Sequence, residues 1–330
     1  MENQAQNYFC YPTTVVIVDD DKKFLSGLGS TLGLNKNELI KTFSKPEEAF
    51  TYLKNQSFLY HSYQKYLETI SSLELDIDDK DRVSKVNFAR ILELIYDKKR
   101  FDEVSVIVAD YFMPNTNGLE FFEGIKDTPA KKILLTSNKD YQLAVDAFNE
   151  GIIDKFIIKE INMIEKISDS IDELKHKYFQ EFSSVLLQAF DRGIKKADQY
   201  MAVFVAWHTD NQILEYYQCD GNGSCIGFDK NGIIHWLLIS SDEEINGYAN
   251  VIKDINSSLP MITSLDSKTS LLFFLTERDK QQPVSKWEKY MFPVYGDFVV
   301  NQKKYFYSYV MEESLGIDLK QVITLCDIKK

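Results

Sequence analysis

The stretch Val104-Ser-Val-Ile-Val-Ala-Asp110-Tyr-Phe-Met113-Pro114-Asn-Thr-Asn-Gly118 decides the fold. Its first six residues are apolar or small, which marks a buried strand, and that strand runs directly into a carboxylate. A near-continuous apolar strand belongs in a parallel sheet covered by helices on both faces. The same unit recurs outward from it. Thr14–Val18 ends in Asp19-Asp20-Asp21, and Phe24, Leu25, Leu28 and Leu32 follow at helical spacing. Leu39–Phe43 reads as the next strand, and Ser44 with Glu47 as a capping box opening a helix through about Leu53. Ile133–Thr136 and Asp154–Ile158 are the last two strands, separated by a helix from about Tyr141 to Asn149. Five strands, each followed by a helix, predict an α/β domain with a doubly wound five-stranded parallel sheet.

The rhythm is interrupted once. Between the second helix and Val104, Tyr63, Tyr66, Leu67 and Ile70 share one helical face, and Phe88, Ile91, Leu92 and Ile95 share another, with acidic Asp76–Asp81 between them. Two inserted helices are expected at about 55–100. Ile161 to Arg192 contains neither Pro nor Gly, and Ile164, Ile167, Ile171, Leu174 and Tyr178 repeat at 3,4,3,4 spacing. This reads either as an ordinary fifth helix followed by another, or as one continuous helix with a dimer seam. Beyond it the pattern is mixed. Met201–Trp207, Ile213–Gln218, Ile233–Ile239, Leu271–Thr276 and Tyr305–Tyr309 read as strands, and Asp242–Asn256 as a helix. Asp220-Gly-Asn-Gly223 and Lys230-Asn-Gly232 read as turns. The expected organisation is an N-terminal tail over 1–13, a first domain over 14–177, a helical linker over 178–199, and a separate α+β output domain over 200–330.

Composition restricts the function classes. There are 38 Lys+Arg against 50 Asp+Glu, a net charge of −12. Neither half is basic, so charge does not support nucleic acid as a partner. No apolar run reaches the ~20 residues that cross a bilayer, so no membrane partner is expected. Cys10, Cys219, Cys225 and Cys326 are too few for a disulfide framework, and a reduced, cytoplasmic location is expected. His208, Cys219, Cys225 and His235 do not have the spacing of a zinc site.

Ligand crevices of open parallel sheets lie beyond the carboxyl ends of the strands. There the sequence gathers Asp19, Asp20, Asp110, Thr136 and Lys159. Two unit charges ~4 Å apart repel by about 4 kcal/mol at an effective dielectric of 20. Clustered carboxylates therefore call for a cation, and hard oxygen ligands suit Mg²⁺.

The ordered set Val18-Asp19-Asp20-Asp21, Asp110-Tyr-Phe-Met113-Pro114-Asn-Thr-Asn-Gly118, Leu-Leu-Thr136-Ser137 and Phe156-Ile-Ile-Lys159 resembles the CheY-like receiver domain of two-component response regulators. The resemblance spans 14–177 apart from the insertion. It implies a flavodoxin-like receiver with Asp110 as phosphoacceptor. Asp19, Asp20, Asp110 and the backbone carbonyl of Phe112 would hold Mg²⁺. Thr136 and Lys159 would contact the phosphoryl group, and Phe156 would be the switch aromatic. Met113, Pro114 and Gly118 would form the turn beside the site. A sensor histidine kinase or phosphotransfer protein would be the donor, with a homodimer favoured on phosphorylation. In one departure, Glu160 stands where the family has a cis proline, so a trans peptide is expected.

No output signature follows Gly193. Control of gene expression or of quorum-sensing-type signalling is the expected consequence. The alternative is a phosphorylation-gated enzyme, or an output domain binding nucleotides or nucleic acid.

Overall fold

Five strands build the first sheet: Thr14–Val18 (β1), Leu39–Phe43 (β2), Val104–Asp110 (β3), Lys131–Thr136 (β4) and Lys155–Ile158 (β5). They lie in the order β2-β1-β3-β4-β5, all parallel. The computed structural model describes residue 7 and residues 9–35, 39–56, 93–137, 141–190, 194, 197–256 and 260–329. The two helices expected within 55–100 fall mainly on 57–92, outside the described residues.

Alternation along the strands makes two cores. Val16, Val18, Ile107, Ala109 and Leu134 face one way, onto Ala49 and Leu53 of the helix Pro46–Lys54, Phe121 and Phe122 of Gly118–Gly124, and Ala144 and Ala147 of Tyr141–Asn149. Val15, Ile17, Val106, Val108, Ile133 and Leu135 face the other way. They meet Leu25, Leu28 and Leu32 of the helix Lys22–Asn35, and Ile167, Ile171 and Leu174 of Met163–Phe190. In chain order these helices are α1 (Lys22–Asn35), α2 (Pro46–Lys54), α3 (Gly118–Gly124), α4 (Tyr141–Asn149) and α5 (Met163–Phe190). Burial of both faces explains why the strands read as apolar runs rather than alternating ones. The Ser44/Glu47 capping box does not open α2. Lys45 is the N-cap, without a side-chain capping bond, and Pro46 starts the helix, where its missing N–H costs nothing.

The chain divides into two units, and the second is built on a different plan. Its six-stranded sheet is antiparallel throughout, and Phe9–Cys10 forms one edge beside Ile213–Gln218 (β6). Cys225–Asp229 (β7) and Ile234–Ser241 (β8) follow, then Lys303–Met311 (β10), with Gly296–Val300 (β9) at the far edge. Phe9 and Cys10, inside the segment read as a tail, thus pair with Tyr217 and Tyr216.

Met201–Trp207, expected as a strand, is the middle of a helix, Asp198–Asp210 (α6). Its alternating Met201, Val203, Val205 and Trp207 imitate a strand. The burial period is nonetheless helical: Tyr200, Phe204 and Trp207 are buried while Val205 is 50% exposed. Trp207 lies across Gly227 of β7, where a Cβ would come within 2.7 Å of the indole. The expected strand Leu271–Thr276 is shorter and shifted, Ser270–Leu272, paired with Met291–Pro293. Asp242–Asn256 (α7) is helical as expected and packs on β8 and β10. Among the described residues no helix is long and apolar enough to cross a membrane.

One acid is buried in the first unit far from the strand ends that carry Asp19 and Asp110. Glu103, immediately before β3, accepts hydrogen bonds from the hydroxyls of Tyr11 (3.0 Å) and Tyr178. Burial raises its carboxyl to about 8, and the two hydroxyl bonds do not offset this. Between the ordinary value and about 8 the folded state therefore holds a proton that the unfolded state has lost. The stability this proton provides is complete below about 4.5 and is lost as pH rises through about 8. Denaturant melts between about pH 5 and 9 should show stability falling by up to about 1.4 kcal/mol per pH unit. Glu103→Gln should remove that part of the slope.

Candidate functional site

The carboxyl ends of β1, β3, β4 and β5 carry the expected residues to one edge of the sheet. Asp19 follows β1 and is 1% exposed; Asp110 ends β3 and is 7% exposed. One carboxylate oxygen from each of Asp19, Asp20 and Asp110 lies within 4.8 Å of the other two. Lys159 reaches back from the end of β5, with Nζ 2.8 Å from Asp110 Oδ2 and 3.1 Å from Asp19 Oδ2. Its own N–H donates to the Thr136 carbonyl oxygen at 2.9 Å, which fixes the lysine's backbone to β4.

Charge and burial oppose each other here. Burial pushes the Asp110 carboxyl up, while its bond to Lys159 and the lysine's charge pull it back; the net direction is upward. Burial disfavours the Lys159 ammonium, but the bond to Asp110 and the charges of Asp110 and Asp19 outweigh it and hold the amine above its ordinary value. Three carboxylates against one ammonium leave an excess of negative charge, and an all-oxygen donor set suits a hard divalent cation. Among the described residues this is the one group of three or more His, Cys, Asp or Glu able to share a metal.

Thr136 is fully buried, and its hydroxyl donates to the Ser137 carbonyl oxygen at 3.2 Å. Phe156 sits on β5 opposite Leu134, half-buried against the core. Phe112, two residues after Asp110, is 61% exposed. Among the described residues there is no cis peptide bond, so the Lys159–Glu160 bond is trans. Glu160 is paired with Lys166 of α5.

The segment after Asp110 is a tight device. Phe112–Met113 pairs with Thr116–Asn117, leaving Pro114 and Asn115 as a two-residue turn. Asn115 has φ of 67°, which a turn with proline first and a left-handed second residue requires. Met113 is buried in the core. Asn117 caps α3 by accepting from the Leu119 and Glu120 N–H groups, and Glu120 completes a capping box. Gly118 donates its N–H to the Tyr111 carbonyl oxygen. A Cβ there would lie 2.5 Å from the Asp110 carbonyl oxygen and 2.6 Å from Leu134 Cδ1. Only glycine lets α3 begin against the phosphoacceptor candidate's own backbone.

Asp21 belongs to the helix. Its Oδ1 accepts from the N–H groups of Lys23 (2.8 Å) and Phe24 (3.2 Å), so it caps α1. Sequence reasoning treated Phe24 only as one apolar residue of a helical stripe. Its ring in fact lies beside the Lys159 ammonium, 5.4 Å from Nζ to the centroid. The one available signal was its place in the first turn after the Asp triplet. Among the described residues of the second unit the two histidines and two cysteines form no shared metal group: His235 lies 3.5 Å from Asp229, and the Cys219 and Cys225 thiols donate to the Tyr217 and Gly223 carbonyl oxygens.

The first unit has the fold of a CheY-like response-regulator receiver, followed by a separate antiparallel domain. Along 99% of its length the chain is similar to a particular solved protein, the Legionella pneumophila response regulator LqsR, at 26% identity and a TM-score of 0.74, over 96% of that chain. Shorter chains match over about half of it. A receiver domain protein from Clostridium thermocellum has 17% identity and a TM-score of 0.31, over 50% of this chain and 95% of that one. A CheY-like receiver domain protein from Methanospirillum hungatei has 16% identity and a TM-score of 0.34, over 52% and 98%. No protein-family model and no curated protein sequence matches the chain.

Because Asp21 caps α1 and stands outside the carboxylate set, Asp21→Ala should lower stability by about 1 kcal/mol. Mg²⁺ affinity should stay unchanged, whereas Asp20→Ala should weaken it. Denaturant melts and a Mg²⁺ titration followed by calorimetry would check both.

Proposed function

We propose that this protein is a two-component response regulator that accepts a phosphoryl group on Asp110. The observation that carries the reading is the Lys159 ammonium bridging Asp110 and Asp19 at the carboxyl edge of the sheet. The donor is the phosphohistidine of a sensor kinase or phosphotransfer protein. A carboxylate oxygen of Asp110 attacks phosphorus, the new O–P bond forms, and the N–P bond breaks with its electron pair leaving on the imidazole. Lys159 is placed to stabilise charge on the transferring group, which both positions and stabilises it.

Asp19, Asp20, Asp110 and the Phe112 carbonyl would hold Mg²⁺, which when bound supplies further neutralisation of the phosphoryl oxygens. The Thr136 hydroxyl exchanges its bond to Ser137 for one to a phosphoryl oxygen. Phe156 then turns toward the space this frees. The pathway reads out in the cytoplasm as altered gene expression or quorum-sensing-type signalling through the second unit.

Acetyl phosphate with Mg²⁺ should add one base-labile phosphate, detected by intact mass. Asp110→Asn should abolish it, and retained labelling in that variant would overturn the assignment. Phosphorylation should also favour a homodimer. Leu143 and Phe148 of α4 are 47% and 49% exposed, and α4 packs on the strand that carries Phe156. Sedimentation velocity should show dimer rising after acetyl phosphate treatment, with Phe148→Glu suppressing it. A phosphorylated wild type that stays monomeric would remove this part of the reading.

A further inference from the structure

Lys159 has a third neighbour besides its two carboxylates. Its Nζ lies 5.4 Å from the centre of the Phe24 ring, inside the ~6 Å range over which an ammonium is attracted to an aromatic face. We propose that Phe24 is a positioning residue for Lys159, holding the ammonium over the phosphoacceptor through its ring. The proposal rests on the Asp110 reading above.

Three features give the contact its role. Phe24 is itself held: its N–H donates to Asp21 Oδ1, and its side chain packs on the core between α1 and α5, together with Met163. Lys159 is less constrained, because its side chain is 34% exposed and its next residue is Glu160 rather than a proline. Glu160 is a carboxylate neighbouring the lysine in sequence, and its pairing with Lys166 engages it elsewhere.

The third feature is chemical. Both oxygens that now hold Lys159 change during the reaction. Asp110 becomes an acyl phosphate, losing its carboxylate charge as the O–P bond forms and the leaving group departs with its electron pair. Asp19 would share its charge with a bound Mg²⁺. The ring of Phe24 keeps the same quadrupole before and after transfer, so it can hold the ammonium in place while its ionic partners are exchanged. A leucine would fill similar space without that attraction.

The test replaces Phe24, in the full chain, with mono-, di- and trifluorinated phenylalanine. Fluorine drains the ring's electron density with little change in shape. The rate of Asp110 phosphorylation from acetyl phosphate at saturating Mg²⁺ should fall stepwise along the series, to a total of roughly three-fold. Phe24→Leu should fall as far as the trifluorinated chain, and Phe24→Tyr should keep the rate. Melting temperature should not follow the series. A flat rate series in a chain whose wild type is labelled would overturn the role of Phe24 alone, as would rates that simply track melting temperature. A wild type that takes no phosphate on Asp110 would overturn the Asp110 reading, and this proposal with it.

Discussion

One ammonium group shared by two buried carboxylates sets the terms for the first unit. Asp19 and Asp110 end neighbouring strands and are almost wholly removed from water, a placement that costs several kcal/mol per charge unless it is compensated. Lys159 supplies the compensation, and it reaches both only because β5 ends level with β3 across β4. The register pairs are therefore part of the electrostatics. Val18 opposite Ala109 sets Asp19 beside Asp110, and Thr136 opposite Ile158 delivers the residue after Ile158 to the same edge. Shift any strand by one residue and its terminal polar group points to the other side of the sheet.

Much of this edge was legible because a doubly wound sheet turns sequence order into spatial order. Each strand could be recognised from an apolar run, and the residue at its end then had one place to go. The same logic separates Asp19 from Asp21. Both follow β1, but only the first is still in the strand's line, while the third is free to cap the helix that begins there. Glu103 and Phe24 were not singled out, and for a common reason. An acid before an apolar strand looks solvated, and a phenylalanine in a helical stripe looks like core. What distinguishes them is contact with residues far away in the chain: Tyr11 and Tyr178 lie 92 and 75 positions from Glu103, and Phe24 meets the lysine just past β5.

The second unit resisted reading at the level of elements. Its helix α6 carries apolar side chains at both helical and alternating spacing, and burial selects the helical set through Trp207 and Gly227. Cys225–Asp229 was passed over as a strand between two turns, since Gly227 at its centre removes the side chain on which strand patterns depend. The chemistry is equally quiet. Buried Ser224 donates to the Ile239 carbonyl oxygen of β8, and buried Asn222 donates to the half-buried Glu244, which also accepts from the Ser241 N–H at the start of α7, the ordinary work of holding a turn and a helix start in place.

The centre of the receiver sheet has a consequence for how the chain is made. β1 lies between β2 and β3, so its outer partner is at hand within a few tens of residues. Its inner partner arrives much later: Thr13 and Ser105, whose buried hydroxyls bond to each other, are 92 positions apart. A longer excursion adds little to the equilibrium cost of closure, about 0.6 kcal/mol for each doubling in length. It acts instead on timing, because non-local pairing is what slows folding. On the ribosome β1 must wait, with one of its two hydrogen-bonding edges open, until the Val104–Asp110 segment emerges. The strand that completes the pairing of β1 is also the one tipped by Asp110. β1 therefore has no stage at which both of its edges are paired and the Asp110 carboxylate is missing.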